Sequence, residues 1–226
     1  MGSMDGYLQA LSLVAILILA PMTIHLLVHK EENTVFVFVE TESENENEQI
    51  DGREIPQLNR TEVARIATFN IKVFGKTKMG KPDVVSQLVD TVLQYDLVAV
   101  QEIKDIDQTV PYEFLDELNN ASGDTWNMSL SPRSGLQEDD QSSQEQYVYY
   151  FNTSVFREIG QGFLYNDTEN DYFQREPYIA SFELLNASGN SSGFDFTLFT
   201  IHTKPALALE EINALHTVVE LSLIHI

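Results

Sequence analysis

The 226-residue sequence contains no cysteine, which excludes disulfides and thiolate metal sites. Basic residues are scarce: 13 Lys and Arg stand against 35 Asp and Glu, for a formal net charge of −22. That balance excludes broad electrostatic attraction to a polyanion. A phosphate-bearing ligand would therefore need a divalent cation as bridge rather than a basic patch. Tryptophan occurs once, and no internal repeat is visible. What is present, 43% hydrophobic and 10% aromatic residues, is enough to bury the core of one sizeable domain.

The charge is uneven. Nine acids fall between Glu31 and Glu54, so residues 31–63 read as a solvated acidic linker, with Thr34–Glu40 able to pair as a strand. Ahead of it, Tyr7–Val28 runs without Asp, Glu, Lys or Arg, long enough to span a bilayer. Residues 1–30 therefore read as a secretory leader, either a cleaved signal or an uncleaved anchor that would bring membrane association. Asn-x-Ser/Thr sequons begin at Asn59, Asn120, Asn127, Asn152, Asn166, Asn186 and Asn190. Chance would give about two, so the set predicts a glycoprotein of the secretory route, in an extracellular or lumenal location.

The folded region is expected from residue 64 to 221. "RIATFNIKVFG" (65–75) reads as a strand ending at a glycine. "KPDVVSQLVDTVLQY" (81–95) has apolar residues at helical spacing, with Pro82 in the first turn. "DLVAVQE" (96–102) is a short apolar run suited to a strand buried on both faces. "VPYEFLDELNN" (110–120) reads as a helix and "PRSGLQEDDQSSQ" (132–144) as a loop. Three further strands are expected in "EQYVYYFN", "PYIASFELL" and "FDFTLFTIH", then a helix over 206–221. This order predicts an α/β layered domain with mixed sheets flanked by helices.

Polar residues stand at the ends of the apolar strands: Asn70, Glu102, Glu145 and His202. Strand ends in layered α/β proteins present ligands to a crevice, though each residue taken alone also fits an ordinary strand terminus. Taken with their neighbours, "IATFNIKVFGKTKMG", "YDLVAVQEIKD", "SQEQYVYYFN", "FQREPYIASF" and "LFTIHTKP" resemble, in order and spacing, the deoxyribonuclease I family. The resemblance spans about residues 65–221 and implies the four-layer α+β sandwich of endonuclease/exonuclease/phosphatase proteins, here incomplete. It implies a divalent-metal-dependent DNA endonuclease leaving 5′-phosphate and 3′-hydroxyl ends. By the same resemblance, Glu102 and Asn70 match metal-site residues for Mg²⁺, with Ca²⁺ or Mn²⁺ as substitutes, a hard cation that takes oxygen ligands. Glu145 matches the carboxylate that orients the catalytic His202. Arg175 and Lys104 match DNA contacts, to a phosphate and in the minor groove, where lysine lacks the planar fork of arginine. DNA is the implied partner, through metal-bridged phosphates, and no protein partner is assigned.

The family's later "GDFN" strand and terminal Ser-Asp-His segment have no counterpart here, and neither do its cysteine loops, so the associated calcium site is not carried over. Residues 222–226 fall within "LSLIHI", which resembles translated adapter sequence. The expectation is an inactive, truncated fragment of an active parent. Two other readings fit the same residues: a phosphatase or sphingomyelinase of this fold, and a catalytically dead protein-binding module. For the last, the region near "TWNMSLSP" is where some relatives meet a partner, although Trp126 also suits core packing.

Overall fold

The computed structural model describes residues 13–18, 22–29, 34–41, 63–135 and 143–223. Six strands form one sheet in the order β3-β2-β4-β5-β7-β6: Thr34–Thr41, Met22–His29, Val63–Phe74, Leu97–Ile103, Gln146–Asn152 and Trp126–Leu130. A four-stranded sheet follows the order β1-β10-β9-β8: Leu13–Ile18, Ser191–Ile201, Tyr178–Leu185 and Phe156–Leu164. β4 and β5 run parallel, as do β1 and β10, while the other pairs are antiparallel.

Strand parity explains how the layers stack, because successive side chains point to opposite faces. In β5, Leu97 and Ala99 join a cluster with Tyr147, Tyr149 and Phe151 of β7 and Ala64 and Ile66 of β4. Across from them lie Tyr178, Ala180, Phe182, Leu184, Phe196 and Leu198 of the second sheet, so these residues form the core between the sheets. The opposite parity, Val98, Val100, Val148 and Tyr150, meets two helices. These are α2 (Pro82–Val92), preceded by the short α1 (Lys76–Met79), and α3 (Val110–Ser122).

α2 starts with Pro82, whose missing N–H costs nothing in a first turn, and buries Val85, Leu88, Val89 and Val92. The Asp105 carboxylate accepts the N–H groups of Thr109 and Val110 at the start of α3. That helix ends at Gly123 with φ of 79°, where glycine avoids a Cβ clash. On the far side of the four-stranded sheet, Leu215 and Val218 of α4 (Ala208–Leu223) pack on Ile179, Phe199 and Ile201. The layers are therefore helix, sheet, sheet, helix, the mixed sheets with flanking helices that the sequence led one to expect.

Two strands lie in the N-terminal segment. Leu13–Ile18 and Met22–His29, read above as part of an apolar leader, are strands within the two sheets. No described helix is long and apolar enough to cross a membrane. Most of the acidic linker, residues 42–62, and positions 224–226 of the suspect tail lie outside the described residues. β8 was not anticipated, since "FREIGQGFL" carries charges and two glycines that obscure its alternation.

Candidate active site

The parity that builds the inter-sheet core continues into polar residues at one end of it. Thr68 (β4), Gln101 (β5) and Thr200 (β10) occupy inter-sheet positions, and the buried Gln101 Nε2 donates to Thr68 Oγ1 at 2.9 Å and Thr200 Oγ1 at 2.7 Å. One step further out on the same face come Asn70, Glu145 and His202. Glu102 has the wrong parity for this face, being one residue beyond Gln101. The backbone corrects it. Glu102 has φ of 61°, the β4–β5 register shifts between Asn70 and Phe74, and the β5–β7 register shifts between Val100 and Ile103. The inserted β4 residues include Lys72 (φ 42°) and Val73 (φ 55°). A bulge of this kind re-aims side chains, and left-handed backbone at non-glycine residues costs about 1–3 kcal/mol each.

All six sequence-predicted site residues converge in one network. Glu145 Oε2 lies 2.8 Å from His202 Nδ1, and the Glu145 side chain is fully buried. His202 Nε2 faces Glu102 Oε1 at 3.6 Å. Asn70 Nδ2 donates to that Oε1 at 2.9 Å, and the Val73 N–H donates to Glu102 Oε2 at 2.9 Å. Arg175 Nε sits 2.8 Å from Glu145 Oε1, and Lys104 Nζ 3.5 Å from the same oxygen. The Tyr147 hydroxyl accepts the His202 backbone N–H at 3.1 Å.

Burial would raise the Glu102 pKa, but hydrogen bonds from Asn70 and Val73, with charge from His202 and Lys104, outweigh it and hold the carboxyl below its ordinary value. Glu102 is thus an anion whose two oxygens each keep lone pairs beyond the bond they accept. With the Asn70 amide beside it, the donor set is oxygen-rich and small. Among the described residues no group of three or more His, Cys, Asp or Glu side chains converges to hold a metal. The two oxygen donors, the Glu102 carboxylate and the Asn70 amide oxygen, are of the kind that a hard divalent cation takes, with waters and substrate oxygens to complete its shell.

Arg175 is placed differently from a free phosphate contact. Its side chain is 11% exposed, its Nε–H points to the Ser143 carbonyl at 3.1 Å, and Nη1 donates to the His202 carbonyl at 3.2 Å. The guanidinium therefore ties Glu145 to the backbone of His202. Lys104 is more open, at 28% exposure, on the rim of the network. Sequence reasoning missed Val73, Lys78, Gln101 and Tyr147, because a backbone donor and residues inside a strand carry no motif. Of the sequons, Asn120, Asn127, Asn166, Asn186 and Asn190 are exposed, Asn152 is half-buried, and Asn59 lies outside the described residues. Trp126 is buried in the helix-facing core. A cavity of about 800 Å³ lies against the second sheet, bordered by Ile159, Phe163, Tyr165, Ser181 and Thr197, and none of the six site residues lines it.

Comparison with known proteins agrees with the motifs. The chain is 32% identical over 155 residues to deoxyribonuclease-1 of Gallus gallus, an alignment covering 67% of this chain and 52% of that protein. It is 33% identical over 158 residues to deoxyribonuclease-1 of Rattus norvegicus, covering 68% and 52%. The Homo sapiens deoxyribonuclease-1 is 32% identical over 158 residues, covering 68% and 53%. The chain spans about half the length of these relatives. No family model matches. Solved structures similar to it include an endonuclease/exonuclease/phosphatase family protein from Bacteroides thetaiotaomicron, at TM-score 0.41 and 15% identity over 70% of this chain and 58% of that one. Another, from Leptotrichia buccalis, gives TM-score 0.40 and 14% identity over 68% and 62%. The chain is accordingly related by sequence to phosphodiester hydrolases. The particular relatives are deoxyribonuclease-1 enzymes.

Proposed function

We propose that this chain carries part of the active site of a divalent-metal-dependent DNA endonuclease of the secretory route. The observation that supports it most is the opposed pair of braced groups, His202 on Glu145 and Glu102 on Asn70, with 3.6 Å between imidazole and carboxylate. With Nδ1–H donated to Glu145, His202 Nε2 holds a free lone pair and serves as general base toward a water. That water attacks phosphorus in line with the departing 3′ oxygen, its proton passes to Nε2, and the P–O3′ bond breaks to leave a 5′-phosphate. The 3′ oxygen is protonated from solvent to the free hydroxyl. A divalent cation on Glu102 and Asn70 would supply the charge that the phosphate needs and that this acidic chain lacks. Lys104, on the rim, is the cation available to a groove of the duplex, and Arg175 acts through Glu145.

Nicking of supercoiled plasmid by the whole protein, dependent on Mg²⁺ and abolished by EDTA, tests the proposal. Hydrolysis of a phosphomonoester or of sphingomyelin without nicking would assign the site to another chemistry, and activity toward none of them would leave a binding module. The 226-residue chain alone, with one braced imidazole and two metal donors, is expected to nick below detection. The secretory route rests on the exposed sequons. A mass shift on enzymatic deglycosylation of the secreted protein checks it.

A further inference from the structure

The bulge beside Glu102 sets a problem that the site residues do not solve. Lys72 and Val73 both hold positive φ, and Val73 is β-branched, the class of residue for which this conformation is a genuine outlier. Nothing is gained from the Val73 side chain, which is 54% exposed. What the turn delivers is its backbone: Lys72 N–H donates to Asn70 Oδ1 at 2.8 Å, and Val73 N–H donates to Glu102 Oε2 at 2.9 Å. Two strained residues thus orient both proposed metal donors. Lys78 of α1 holds them there. Its Nζ lies 2.5 Å from the Ile71 carbonyl and 2.5 Å from the Lys72 carbonyl.

We propose that Lys78 is a positioning residue: its ammonium clamps the carbonyls of Ile71 and Lys72, keeps the strained turn closed, and so aims the Val73 N–H at Glu102. The geometry alone carries this. The half-buried ammonium gathers the carbonyls of two residues that sit inside the β4–β5 register shift between Asn70 and Phe74. Partial burial lowers the Lys78 pKa, and the nearby Glu102 charge opposes that fall. The proposal rests on the functional reading for its link to a metal, but its structural half stands apart from it.

Charge and position predict opposite signs, which makes the test sharp. Lys78→Met removes a cation near Glu102, so simple electrostatics would tighten binding of a divalent ion. The clamp predicts the reverse. Mn²⁺ titration of the full chain by calorimetry should show Lys78→Met weakening binding by about tenfold, with hydrogen exchange of the Val73 amide faster by a similar factor. Glycine adopts positive φ freely, so in a Val73→Gly background the same Lys78→Met change should cost less than about threefold. Unchanged or tighter Mn²⁺ binding in Lys78→Met would overturn the clamp, as would an equal loss in both backgrounds. Thermal unfolding of each variant separates a local effect from general destabilisation. If the wild-type chain binds no Mn²⁺, the metal-dependent reading of the site fails, and Val73 amide exchange still decides the clamp.

Discussion

Replacing Glu145 by Gln probes the most buried charge of the site. The carboxylate is wholly inaccessible and meets Arg175 Nε at 2.8 Å and His202 Nδ1 at 2.8 Å. Because Arg175 is 11% exposed, the amide would leave a guanidinium largely out of water, and among the described residues Glu145 is the carboxylate that forms its salt bridge. Removing one partner of a buried pair costs about 3–5 kcal/mol. An amide retains shape and one acceptor, which places Glu145→Gln near the lower bound. For a domain of this size about 3 kcal/mol corresponds to a fall in Tm of roughly 6–12 °C. The signature lies in the cycle. Arg175→Met removes the stranded cation, so Glu145→Gln combined with Arg175→Met should recover at least half of the loss. Denaturant unfolding of the whole protein, read at constant m, measures all four corners. A single variant within about 1 kcal/mol of wild type, or strict additivity of the two changes, would refute a buried pair here. Activity should fall further than stability explains, by about 10²–10⁴-fold in kcat, since His202 loses the partner that fixes its tautomer.

Glu102 has a folded-state pKa below the ordinary 4.5, so its contribution to stability is fully present above that value and drains away as pH falls through the depressed one. The stability difference between wild type and Glu102→Gln should accordingly shrink as unfolding is measured at progressively lower pH beneath 4.5. Thr200→Val strips one of the two acceptors from Gln101 Nε2, and equilibrium unfolding should show a loss of about 1–2 kcal/mol that Thr200→Ser restores. Phe114 is fully buried, with ring centroids 5.2 Å from Phe74 and 5.4 Å from Tyr150. Phe114→Ala should cost about 3–5 kcal/mol in the same assay, independent of pH and of added divalent ion.

Strand-end chemistry was the most legible part of this sequence. Asn70, Glu102, Glu145 and His202 terminate apolar runs, and a motif that matches at each of several strand ends constrains where those ends meet. The left-handed backbone at Lys72, Val73 and Glu102 was invisible for a physical reason. Lys-Val-Phe reads as extended chain by propensity, and a local bond from the Lys72 N–H to the Asn70 side chain, together with bonds to Glu102 and Lys78 from outside the strand, opposes that preference. The surroundings of Arg175 were hidden in a related way, since nothing in "REP" reveals whether a guanidinium faces solvent or a buried carboxylate. Tyr7–Val28 shows the limit of hydrophobic runs: an uninterrupted apolar stretch suits a bilayer, yet Leu13–Ile18 and Met22–His29 within it pair as strands.

The pairing of β1 with β10 has a consequence during synthesis. Leu13–Ile18 finds its partner in Phe196–Ile201, so this greasy hexapeptide emerges from the ribosome long before its neighbour exists. At about 5–20 residues per second the wait is on the order of ten to thirty seconds. Throughout that interval the nascent chain displays an unclaimed apolar run, open to whatever factor scans emerging polypeptides, and its pairing with β10 forms only afterwards.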